Sequence, residues 1–239
     1  MTRVEHVMGM PIVVEVDDDA SPEVLDRVFG WFEEVDARFS TYKAESEVSR
    51  LARGELALED VHRDVREVLE RCAALRDETA GYFDAYASGE LDPSGLVKGW
   101  AVDRAASILD EAGVRRYAVN AGGDMVVRGG PWRVGIQHPL ERDKVAKVVE
   151  TDELAIATSG EYERGAHVVD PHTRARPLGV LSVTITGPEL ATADAYATAA
   201  FAMGLEGPTW TARLGGGYEA MTILADGRVL STPGFPAVQ

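Results

Sequence analysis

From Tyr117 to Thr186 the chain reads as a series of short β-favouring segments with no helical stretch between them. The segments are Tyr117–Asn120, Met125–Arg128, Trp132–Gln137, Val145–Val149, Leu154–Thr158, His167–Asp170 and Val180–Thr186. Glycine, proline and charged turns divide them, among them Gly122-Gly123 before Asp124 and the pair Gly129-Gly130. Parallel neighbours would need crossover connections, usually helices, whereas antiparallel neighbours need only a tight turn. The region is therefore expected to be an antiparallel meander. With helices on either side of it in sequence, the expected fold class is α+β, an antiparallel sheet packed with helices.

Four main helices are expected, starting near Pro22, Val61, Leu96 and Ala193, with a short one around Thr209 to Leu214. Ser21 offers an N-cap before Pro22, and Val24, Leu25, Val28, Phe32, Val35 and Phe39 then recur at helical spacing. The second helix runs from about Val61 to Thr79, with Val65, Val68, Cys72 and Leu75 inward and Gly81 just past its end. The third carries Val97, Ala101, Ala105, Ile108 and Leu109 on one face; the fourth is capped by Thr192 and stopped by Gly204. Val4 to Val16 reads as a strand or hairpin turned at Met8-Gly9-Met10, and Phe39 to Leu51 as a polar loop carrying Tyr42. A chain of 239 residues, 45% of them hydrophobic, can bury one sizeable core, so residues 1–239 are expected to form a single domain.

Forty Asp and Glu against 24 Lys and Arg give a formal charge of -16, a field that repels nucleic acid. The same field opposes any anionic ligand, so a phosphate site here calls for a divalent cation or local basic groups. The first residues hold neither a basic segment followed by an apolar core nor a lipobox, and no window approaches a membrane span. A cytoplasmic location is expected on that reading, although a chain trimmed of an export signal would read identically.

Three places could carry chemistry. Leu91-Asp92-Pro93-Ser94-Gly95 feeds straight into the third helix, whose first-turn N–H groups suit an anion, with Lys98 one turn in. Taken alone, the stretch reads better as an ordinary helix start. Asp194 and Thr198, four apart, put a carboxylate and a hydroxyl on one helical face, a sparse oxygen pair of the kind magnesium accepts. Helix-dipole complementarity and a threonine bond to a carbonyl account for the same pair without a metal. His167 opens a strand candidate and could serve as a base or a clamp, or be structural. Zinc-ligand spacing, the G-x-S-x-G elbow, the Walker motif and a strand-linked G-x-G-x-x-G are all missing.

Each piece is weak singly, but their order is informative. Met8-Gly9, Phe39-Ser40-Thr41-Tyr42, Ser46 to Leu51, Gly81-x-Phe83-Asp84, Leu91-Asp92 through Asp103, Asn120 to Asp124, Thr158-Ser159-Gly160, His167 to Pro171 and Ala193 to Ala199 span nearly the whole chain. Together they resemble the FAD:protein FMN transferase family, also called the ApbE family. The resemblance implies an ApbE-like, T-fold-like architecture and a magnesium-assisted reaction. In it a threonine (or serine) hydroxyl of an acceptor flavoprotein attacks the FMN phosphorus of FAD and AMP leaves. It further implies that Gly95 (through its main chain), Asp194 and Thr198 bind Mg2+. Met8, Tyr42, Phe83, Asp84, Ala85, Asp92, Lys98 and Val169 match FAD-contacting positions, and His167 takes an acid-base role. Gly122, Gly123 and Asp124 would shape the pocket. Met10 stands where the family usually has threonine, and the Asp170–Pro177 loop is one residue longer than the usual pattern. Two further readings share the site: hydrolysis of FAD to FMN and AMP, and a protein that holds the flavin without turnover.

Overall fold

A computed structural model describes residues 1–17, 20–160 and 168–236. Two strands open the chain, β1 (Thr2–Val7) and β2 (Met10–Val16), joined by a tight turn in which Met8 and Gly9 both have positive φ. Helices α1 (Pro22–Phe39), α2 (Glu47–Ala52), α3 (Arg63–Glu78) and α4 (Ser94–Glu111) follow. Then come β3 (Tyr117–Ala121), β4 (Asp124–Arg128), β5 (Trp132–Gln137), β6 (Val145–Thr151), β7 (Leu154–Gly160) and β8 (Val180–Gly187). Helix α5 (Leu190–Ala202), a short 3-10 turn and α6 (Gly207–Thr211) lead to the hairpin β9 (Glu219–Leu224) and β10 (Val229–Ser231).

Eight strands form one antiparallel sheet in the order β1-β2-β3-β4-β7-β8-β9-β10, and β5-β6 form a separate hairpin. The expected α+β architecture is thus found. Side chains alternate between two cores, as the pleat requires. On one face Val119, Val126, Ala155 and Ala157 meet the apolar stripes of α1 and α4 and the alanines of α5. On the other, Ala118, Val127, Ile156, Met221 and Ile223 meet Val134, Ile136 and Val149 of the β5-β6 hairpin. Every residue of the stripe read for α1 is buried. No described helix is long and apolar enough to cross a membrane.

Three expectations change. Val168–Asp170 is not a strand, because Asp170 closes a turn: its carbonyl accepts the Arg174 N–H (2.7 Å) and its carboxylate accepts from His172 N (2.9 Å) and Thr173 Oγ1 (2.8 Å). The polar loop after Phe39 instead contains α2, capped by Ser46, whose Oγ accepts the Ser49 N–H at 3.0 Å. Helix α5 begins at Leu190, ahead of Thr192, because its cap comes from elsewhere in the chain. The Asp103 carboxylate, on α4, accepts the N–H of Leu190 (3.0 Å) and of Ala191 (2.8 Å). Gly99, one turn earlier on the same face of α4, lets the two helices approach closely enough for this.

Candidate functional site

Helices α4 and α5 pack side by side, so that the first turn of α4, at Gly95, lies against Thr198, two turns into α5. Asp92 fixes the start of α4: its N–H donates to the Ala85 carbonyl (2.7 Å) and its carboxylate accepts the Ser94 N–H (3.0 Å). The Leu96 and Val97 N–H groups go to the Pro93 carbonyl, so Gly95 presents the first-turn N–H without a protein acceptor among the described residues. The α3–α4 connection is also anchored, since the Phe83 N–H donates to Thr79 Oγ1 at 2.9 Å. That bond sets the buried Phe83 ring beside Gly95.

A cleft of about 540 Å3 opens between these elements. One wall holds Gly95 and Lys98 of α4 with Asp194, Thr198 and Phe201 of α5. Phe83, Asp84, Ala85 and Asp92 line it from the α3–α4 connection, and Gly9, Met10 and Gly122 from two hairpin turns. Ser159 and Gly160 close its floor, and Val168, Val169, Arg176 and Pro177 lie on the side before β8, with Arg142 beyond β5.

Asp194 is 3% exposed, and Ser159 Oγ approaches Thr198 Oγ1 at 3.4 Å. A Cβ on Gly95 would stand 3.2 Å from Phe83 Cε2 and 3.8 Å from Thr198 Oγ1, so a side chain there would press on the Phe83 ring. The Asp194 carboxylate, the Thr198 hydroxyl and the Gly95 carbonyl are hard oxygen donors on neighbouring helices, and this donor set fits magnesium, which takes few protein ligands. Among the described residues no group of three or more His, Cys, Asp or Glu gathers as a metal site, so a softer transition-metal centre has no counterpart there.

Lys98 is not a freely solvated cation. Its Nζ lies 2.5 Å from Asp124 Oδ2 and 3.7 Å from Asp194 Oδ1. Asp124 is fully buried at the start of β4, and its other oxygen accepts the Thr158 N–H from β7 at 2.9 Å. The aspartate that reads in sequence as part of a glycine turn therefore ties two strands to the cleft lysine. Burial raises the Asp103 carboxyl to about 6, the two backbone N–H groups offsetting only part of that cost. Burial also pushes the Cys72 thiol up to about 12, so it stays protonated and inert at neutral pH.

The structure thus gathers Phe83, Asp84, Ala85, Asp92, Lys98 and Val169 with Gly95, Asp194 and Thr198 around one cavity. Met8 sits in the β1–β2 turn beside the cleft, but Gly9 and Met10 rather than Met8 line it. Tyr42 is 95% exposed and does not line the cleft. His167 lies outside the described residues. The sequence reading missed Arg142 and Arg176, whose place in the cavity depends on loops that carry no local signal.

Fold and site together define an α+β protein with an oxygen-lined cleft between the first turn of α4 and the middle of α5. The ApbE family model matches residues 8–89 and 86–222, and the chain belongs to that family. A protein of Vibrio cholerae serotype O1 named FAD:protein FMN transferase is 36% identical over 132 residues, 48% of this chain and 39% of the relative. One of the same name from Rhodobacter capsulatus is 37% identical over 172 residues, 62% of this chain and 33% of the relative. The matched segment thus spans between a third and two fifths of the length of these curated relatives. The crystal structure of the flavin transferase ApbE from Vibrio cholerae superimposes with a TM-score of 0.86 at 23% identity, covering 98% of this chain and 97% of that one. The ApbE protein of Thermotoga maritima does so with 0.84 at 21% identity, covering 98% and 97%. Both share the fold.

Proposed function

We propose that this chain is a magnesium-dependent FAD:protein FMN transferase that moves FMN from FAD onto a threonine or serine hydroxyl of an acceptor flavoprotein and releases AMP. One observation carries this reading: α4 and α5 bring Gly95, Lys98, Asp194 and Thr198 to a single wall of one cleft, in a chain of the ApbE family. In the transfer, the acceptor oxygen bonds to the FMN phosphorus, the bridging phosphoanhydride bond breaks and its electrons leave with AMP. The hydroxyl proton passes to a base, for which His167 is the candidate from its motif.

Such a reaction needs positioning and charge neutralisation more than covalent chemistry from the protein. Asp194, Thr198 and the Gly95 carbonyl would hold the magnesium ion, which when bound supplies Lewis-acid stabilisation of phosphate charge. Lys98 and the Gly95 N–H present positive charge and a donor to the pyrophosphate. Phe83 gives the cleft apolar surface next to these groups, suited to a flavin or adenine ring.

The test is incubation of the protein with FAD, magnesium and a threonine-bearing acceptor, read by intact mass and by nucleotide chromatography. The expected result is an acceptor heavier by FMN less one water, with AMP in equal amount. Free FMN and AMP with unmodified acceptor would assign hydrolysis instead, and unchanged FAD would leave only binding.

A further inference from the structure

Among the described residues, Lys98 is shared between two carboxylates unequally, at 2.5 Å from Asp124 and 3.7 Å from Asp194. What sets that imbalance is the fold of the sheet. Asp124 is 0% exposed and fixed by the Thr158 N–H, so its second oxygen cannot follow the lysine, whereas the lysine stem can turn about its own bonds. Lys98 and Asp194 approach the same point from different helices, and both line the cleft. A lysine drawn fully onto Asp194 would place an ammonium where a divalent cation must sit. It would also withdraw that ammonium from the pyrophosphate.

We propose that Asp124 is a positioning residue that holds the Lys98 ammonium off Asp194, keeping the carboxylate available to magnesium and the ammonium to phosphate. This rests on the transferase reading for its metal. The physical claim about Lys98 does not, because two carboxylates compete for one cation whether or not a metal is present. Charge pairs in a partly dehydrated cleft are strong enough for that competition to set the lysine position.

The experiment has two arms. In the metal-free arm, a double-mutant cycle between Lys98→Met and Asp194→Asn is measured by denaturant unfolding, once in the parent and once with Asp124→Asn. The expected result is a Lys98–Asp194 coupling at least tenfold larger, as a ratio of unfolding constants, in the Asn background. Equal coupling in the two backgrounds overturns the proposal. In the second arm magnesium alone is titrated by calorimetry. Asp124→Asn is expected to weaken binding at least tenfold, and adding Lys98→Met to it to restore the affinity of Lys98→Met alone. If the double variant stays as weak as Asp124→Asn, Asp124 acts through shape and the proposal falls. If the parent takes up no magnesium while the coupling still rises, the metal in the transferase reading is wrong and the positioning role stands.

Discussion

Gly99 of α4 lies so close to Ala191 of α5 that a Cβ on the glycine would stand 2.8 Å from the alanine backbone nitrogen and 2.6 Å from the Leu190 carbonyl oxygen. Both opposing atoms are backbone, so no side-chain rotation relieves the contact. The crossing of α4 and α5 at this point sets how Lys98, one residue before Gly99, faces Asp194, one turn into α5.

Gly99→Ala should therefore destabilise the protein although alanine is the better helix former. Helix propensity favours the change by about 1 kcal/mol, and overpacking against backbone costs about 1–3 kcal/mol, with this contact at the upper end. The expected net loss is about 1–2 kcal/mol, a fall in Tm of about 2–8 °C for a chain of this size. Thermal unfolding of the purified variant checks it; an unchanged or higher Tm would mean the helices can separate at no cost.

Asp103 gives a pH signature. Its folded carboxyl titrates at about 6 because it is buried, above the ordinary carboxylate range that it regains on unfolding. The folded protein therefore holds the proton more tightly across that window. Its contribution to stability is full below about pH 4 and is lost as pH rises through about 6. The loss is about 3 kcal/mol for a shift of this size. Asp103→Asn should cost about 1 kcal/mol for one missing acceptor at low pH. The variant lacks the titration, so its stability should overtake the parent's toward neutral pH. Urea unfolding of both proteins from pH 4 to pH 7.5 reads the difference, and a constant gap would remove Asp103 as the cause.

How far the sequence was legible follows from where the determining contacts lie. The stripe Val24, Leu25, Val28, Phe32, Val35 and Phe39 repeats at the helical period, so α1 could be read locally and all six residues are buried. The start of α5 could not, because Asp103, far away in sequence, supplies its cap. Val168 and Val169 carry strand propensity, but the Asp170 carboxylate binds the backbone of its own turn and overrides it. In the site, Asp194 and Thr198 were visible because they share one helix face. Asp124 hides in a glycine turn, and its role emerges only when β4 pairs with β7 and sets it against Lys98.

Asp194→Ala should abolish most FMN transfer while leaving the fold in place. The carboxylate is buried at the cleft wall rather than among the apolar side chains of either core, and its neighbour Lys98 keeps a second, shorter pair with Asp124. A loss of at least 100-fold in turnover with Tm within about 5 °C of the parent is expected, since removing the proposed metal ligand would act on transition-state charge. Transfer at the parental rate across a range of magnesium concentrations would dismiss Asp194 as a ligand.

To bind an anionic dinucleotide, as proposed, a protein of formal charge -16 must offset its own field locally. The cleft supplies Lys98 on one side and Arg142 and Arg176 on others, besides the oxygen ligands proposed for magnesium. Arg176 is exposed at the cleft edge, so its attraction acts through water and is screened by salt. Lys98 is mostly buried and held by Asp124, so its effect persists at high ionic strength. Titrating FAD by flavin fluorescence should show Arg176→Ala weakening binding a few-fold at low salt and not at all near 0.5 M salt. Lys98→Ala should weaken it at both, and chelating magnesium should weaken it further in every variant. If Arg176→Ala and Lys98→Ala lost affinity in parallel as salt rises, the pyrophosphate would lie at the cleft edge and not against the start of α4.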